Sequence, residues 1–87
     1  MKYLLIWINR HGSIYNEFVY GDYIASIRRK CIALMKDNTK DGEGALVTDR
    51  HEDIVGRILL IDGKWYYKTP SGKPFRISVA TGERIKD

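Results

Sequence analysis

The sequence predicts an α+β domain: an antiparallel sheet of about five strands with one helix across one face, in the order β-β-α-β-β-β. Three observations carry this. Short runs rich in β-branched and aromatic residues, bounded by Gly, Asn, Asp and Pro, recur along the chain. One segment alone has the 3.6-residue period of an amphipathic helix. Asp62-Gly63, set between two strand-like runs, is the strongest two-residue hairpin signal present.

Tyr3 to Ile8 opens as a strand, and Asn9-Arg10-His11-Gly12 turns it back into a second, Ile14 to Val19. The first strand alternates Tyr3, Leu5 and Trp7 with Leu4, Ile6 and Ile8, so both of its faces are apolar. One helix covers one face of a sheet. The second face is therefore expected to lie under the last hairpins or to await a partner, a second copy among the options.

Gly21-Asp22 ends the second strand, with Asp22 expected as N-cap of a helix from Tyr23 to about Asp37. At 100° per residue, Ile24, Ile27, Cys31, Leu34 and Met35 form its apolar stripe, and Arg28 borders it. Ala45 to Thr48 reads as a short strand and Arg50 to Asp53 as a loop. Across Asp62-Gly63 the turn sets a register: Ile61 opposite Lys64, Leu60 opposite Trp65, Leu59 opposite Tyr66, Ile58 opposite Tyr67, Arg57 opposite Lys68. Ile58, Leu60, Trp65 and Tyr67 then make a core face. Thr69-Pro70-Ser71-Gly72 turns into a last strand, Phe75 to Val79, with Phe75, Ile77 and Val79 inward. The set expected to be buried is Ile24, Ile27, Cys31, Leu34, Ile58, Leu60 and Trp65.

The 87 residues make one domain, 1–87, and bury roughly 64% of the extended surface on folding. No apolar run reaches the ~20 residues of a membrane span, and Leu4 to Ile8 is too short for a secretory h-region. One cysteine supplies neither an internal disulfide nor a thiolate cluster. A reducing, cytoplasmic setting is the expectation.

The net charge of +4 is unevenly spread. Residues 1–36 sum to +4, residues 37–53 to −4 and residues 54–86 to +5, with Asp87 completing the total. An acidic segment inside a basic chain gives it one side suited to phosphate or a charged protein and another that repels them.

Chemistry-bearing constellations are sparse. His11 and His51 are the two histidines, and an acid–base pair of a small nuclease or toxin is one use for them. His11 sits in a turn, where solvation is the usual fate. Asp49, His51 and Asp53 alternate, too few ligands for a complete metal site. Cys31 lies mid-stripe, where a thiol packs as a small hydrophobe and is inert as a nucleophile. Gly42-Glu43-Gly44 lacks the third glycine and preceding strand of a phosphate cradle, so no cofactor is expected.

The second hairpin face, Arg57, Leu59, Ile61, Lys64, Tyr66 and Lys68, mixes cations with apolar groups; Lys73 and Arg76 follow it. Arg57, Lys64, Lys68 and Arg76 are expected on one solvent-facing side around Tyr66, with the acidic segment elsewhere. Cations beside a ring hold phosphates while the ring stacks a base. Leu59 and Ile61 suit a protein interface better.

Asp62-Gly63-Lys64-Trp65-Tyr66-Tyr67-Lys68 with Ser71-Gly72-Lys73-Pro74-Phe75, after a hairpin and a helix, resembles small phage-encoded proteins of the anti-CRISPR kind. In some of these a Gly-x-Trp-x-x-Tyr-Lys stretch and a Gly-Lys-x-aromatic stretch close a single sheet. Gly63, Trp65 and Lys73 fit that pattern; the Trp–Tyr spacing and Pro74 depart from it. The resemblance spans residues 58–75 and implies a stoichiometric, non-enzymatic inhibitor that binds a host nucleoprotein complex. Direct DNA or RNA binding through the same face is the alternative, and a nuclease using His11 and His51 the second.

Overall fold

The computed structural model describes residues 1–86. Its strands are β1 (Lys2–Ile8), β2 (Ile14–Tyr20), β3 (Gly44–Thr48), β4 (Ile54–Ile61), β5 (Lys64–Lys68) and β6 (Phe75–Arg76), with one helix, α1 (Ile24–Met35). They form one antiparallel sheet in the order β2-β1-β3-β4-β5-β6. That is one strand more than the expected order counts.

The β4–β5 hairpin has the expected register at all five pairs, from Ile61 opposite Lys64 to Arg57 opposite Lys68. Its turn is set by Asp62 (φ 52°) and Gly63 (φ 75°), the left-handed pair that matches the twist of the flanking strands. The Asp41 carboxylate accepts hydrogen bonds from Asp62 N at 3.1 Å and Gly63 N at 2.8 Å.

The core lies between α1 and one sheet face. Ile27, Cys31, Ile32 and Met35 from the helix pack with Leu5, Trp7, Val47, Ile58, Tyr67 and Ile77, all fully or nearly buried. Each such side chain contributes about 1.5–3 kcal/mol on leaving water. The stripe is rotated from the expected one: Ile32 and Ala25 are buried, whereas Leu34 is 37% exposed and Ile24 half-buried. Periodicity finds the apolar arc, but the angle at which a helix crosses a sheet decides which of its flanks is covered.

Two local expectations are corrected. The N-cap is Tyr23, with no side-chain cap; Ser26 Oγ donates to Tyr23 O instead, and Asp22 is exposed. The last strand stops at Arg76. Ile77 is buried but bridges to Arg84, and Val79 is 53% exposed in a turn where Ser78 Oγ accepts from Ala80 N and Thr81 N. Gly82 (φ 75°) lies so close to α1 that a Cβ there would strike the Ala25 carbonyl. Arg28 completes this clasp, stacking on Tyr67 and Phe75 and donating from Nε to Gly82 O at 2.8 Å.

Candidate interaction face

Opposed residues in a sheet share a face. Carried across all five pairings, the register puts Leu5, Val47, Ile58 and Tyr67 under the helix and leaves the other face without a covering element among the described residues. The last hairpins extend the sheet and do not fold over it. Strand residues on this open face are Lys2, Leu4, Ile6 and Ile8 on β1, flanked by Ile14, Asn16, Phe18 and Tyr20 on β2. Leu46 and Thr48 continue it on β3, then Ile54, Arg57, Leu59 and Ile61 on β4. Lys64, Tyr66 and Lys68 on β5 and Arg76 on β6 finish it. None of these is acidic.

Seven of the eight residues singled out in the sequence therefore share this face: Arg57, Leu59, Ile61, Lys64, Tyr66, Lys68 and Arg76. Lys73 lies in the loop between β5 and β6, exposed. Arg57 and Lys64 are exposed; Lys68 is half-buried, its Nζ donating to Thr69 O at 3.1 Å. A cleft of about 320 Å³ lies between Arg57, Lys68 and Pro70, and another of about 630 Å³ runs past Tyr66, Phe75 and Arg84.

The acidic segment does not lie apart as one belt. Its two turns sit at opposite ends of β4. Asp41 holds the β4–β5 turn, while Asp49 Oδ1 accepts from His51 N at 2.8 Å and Asp53 N at 3.0 Å within the β3–β4 loop. Asp49 and Glu52 also line a cleft with Lys2, Leu4 and Phe18, so the acidic rim meets the apolar part of the open face. Charge counting registers these carboxylates as a belt; turn geometry explains why two of them stand where they do.

Sequence reasoning missed how far the face extends. Lys2 Nζ lies 4.4 Å from the centre of the Phe18 ring, and Ile8, Ile14, Phe18 and Tyr20 are each more than half exposed. The signal was available in β1, apolar on both faces, once β2 was placed beside it.

The remaining candidates do not converge. His11 lies in the β1–β2 turn and His51 in the β3–β4 loop, at opposite ends of β1 and about 20 Å apart by the rise of a seven-residue strand. Among the described residues no three His, Cys, Asp or Glu side chains are grouped to hold a metal. Cys31 is fully buried, and desolvation pushes its thiol up to about 12. Burial also raises Tyr67, partly offset by Arg28, and lowers Arg28. Among the described residues no helix is long and apolar enough to cross a membrane.

Comparison with family models, with curated proteins and with solved structures finds no match for this chain.

Proposed function

We propose that this chain is a non-enzymatic binding protein, an inhibitor of the phage or mobile-element type, whose open sheet face engages a host protein complex that handles nucleic acid. The supporting observation is the composition of that face: five cations and no carboxylate among its strand residues, running without a break into an apolar tract. Arg57, Lys64, Lys68 and Arg76 suit a surface that is itself negative, and complementarity of that kind speeds encounter and fixes orientation. Leu59, Ile61 and Tyr66 between them supply the dehydrated centre that a protein interface needs.

The alternative is direct DNA or RNA binding, favoured by Tyr66 standing among four cations as one stacking platform. Salt separates the two. If phosphate is the ligand, four contacts give a log–log salt slope of about −3 to −4, a loss of ~60–250-fold between 50 and 200 mM. If a protein is the ligand, salt slows association and leaves dissociation nearly unchanged.

The experiment is capture of the complex from host lysate with and without nuclease, beside titration of the purified protein with single- and double-stranded oligonucleotides. Nuclease-resistant capture that is lost in the double variant Arg57→Glu, Lys64→Glu, with its thermal melt intact, supports the reading. Capture unchanged in that variant removes the face from consideration. Tight, salt-steep binding of naked nucleic acid transfers the function to the alternative.

A further inference from the structure

The two edges of the sheet are finished differently. Beyond β6 the chain closes its own edge: Ile77 bridges to Arg84, Ser78 N donates to Glu83 O at 2.8 Å, and Ile85 N donates to Arg76 O at 2.9 Å. Beyond β2 no strand follows among the described residues.

The backbone of β2 shows what that edge offers. Met1 and Gly21 exchange both hydrogen bonds, Met1 N to Gly21 O at 2.8 Å and Gly21 N to Met1 O at 3.2 Å. Such pairs alternate along an antiparallel ladder. The N–H and C=O groups of Tyr15, Glu17 and Val19 therefore turn toward β1, and those of Ile14, Asn16, Phe18 and Tyr20 turn outward. The Lys30 ammonium donates to the Tyr20 carbonyl; the other outward groups face no strand.

Edge strands of this length are ordinarily guarded by lysine, proline or a bulge. β2 carries no lysine, proline or bulge; its guards are the single charge Glu17, opposite Leu5, and Lys30 of α1 at the Tyr20 carbonyl. Ile14, Tyr15, Phe18 and Tyr20 are 70%, 50%, 57% and 56% exposed. Phe18 and Tyr20 share the open face and, at ~150–250 Å² per aromatic side chain, leave roughly 170–280 Å² of ring surface in water beside Ile14, while Tyr15 lies on the helix side, stacked on Trp7.

We propose that β2 is a dimerisation edge: two copies of this chain pair β2 with β2, antiparallel, about a two-fold axis through Phe18. Phe18 then faces Phe18 of the second copy, Asn16 faces Tyr20, and Glu17 faces Val19. In this register Phe18 exchanges both hydrogen bonds with its counterpart and Tyr20 N–H meets the Asn16 carbonyl, while Asn16 N–H reaches the Tyr20 carbonyl that Lys30 holds in the single chain. An axis through Glu17 would also match them, but it sets two carboxylates directly opposite.

Two observations select a second copy as the occupant. Four of the five cations of the face, Arg57, Lys64, Lys68 and Arg76, lie on β4, β5 and β6, so joining β2 edges places them at the far ends of the combined sheet, and Lys2 near the seam is held over the Phe18 ring. Because residues 83–85 pair along 76–78, β2 is the one seven-residue edge left open among the described residues, and like-with-like pairing follows. The assembly then stops at two copies, where head-to-tail pairing would grow a filament.

Sedimentation equilibrium of the full chain at ~100 µM tests this, since a dimer's population depends on concentration. The expected mass is twice the 10.1 kDa of one chain. Asn16→Pro removes an outward N–H and no bond to β1, so the variant is expected to fold and sediment as a monomer. Phe18→Lys, at an exposed position, sets two ammonium groups face to face and is expected to weaken association at least ~10-fold, with partial recovery in high salt. A monomeric wild type, or wild-type association in Phe18→Lys, would overturn the proposal whether or not Asn16→Pro folds. So would a folded Asn16→Pro that still dimerises, or open-ended growth of the wild type.

Discussion

Replacing Cys31 with Ala should reverse the order of stability between wild type and variant as pH rises. Cys31 is fully buried against the sheet, and its thiol is raised from 9.0 to about 12 by desolvation. At neutral pH the thiol is protonated in both folded and unfolded chains, so only packing counts. Truncation to Ala then costs about 1–2 kcal/mol, at the lower end of core deletions because one sulfur atom is removed. Above pH 9 the unfolded chain releases the thiol proton while the folded chain retains it. A folded pKa raised above the unfolded one contributes stability that is complete below 9 and is lost as pH climbs toward 12. The loss approaches ~1.4 kcal/mol per pH unit, thus about 1.4 at pH 10 and about 2.7 at pH 11. The two stability curves should cross between about pH 9.6 and 10.5. Urea unfolding of both proteins under reducing conditions, from pH 7 to 11, measures this; alkaline effects of groups remote from Cys31 cancel in the difference, whereas that of Tyr67, which Cys31 also pushes up, does not. Parallel curves would refute the argument, because they would mean that the folded chain ionises Cys31 as readily as the unfolded one.

Two further outcomes test the packing and the chemistry. Ile27→Ala should lose about 3 kcal/mol in a urea melt and Leu34→Ala less than ~1, because Ile27 has no exposed surface and Leu34 keeps 37% of its own; equal losses would return the helix to the unrotated stripe. The double variant His11→Ala, His51→Ala should keep target binding within a fewfold of wild type, since the two side chains lie at opposite ends of β1. Loss of biological activity with the melt unchanged would favour a nuclease.

The hairpin around Asp62-Gly63 was legible to the residue, because a two-residue turn that needs positive φ at both positions leaves one register available. That register also sorted Arg57, Leu59, Ile61, Lys64, Tyr66 and Lys68 onto one side before any neighbouring strand was known. Period and turn chemistry are local, and local rules survive folding here. Strand Phe75–Val79 failed for the converse reason. Its alternation is genuine through Ile77, but the Ser78 hydroxyl and Gly82 bend the chain so that it docks on α1 through Arg28, a contact 54 positions apart.

By itself the sequence determined the element types, the Asp62-Gly63 register and the excess of apolar strand surface that one helix leaves uncovered. Tertiary structure alone decided which flank of α1 is buried, that the acidic segment divides into turns at both ends of β4, and that Phe18, Ile14 and Tyr20 continue the face begun by Arg57 and Tyr66. Strand order was the missing quantity. Residues separated by some forty positions become neighbours only once β1 is seated between β2 and β3, and no periodicity within a single strand carries that information.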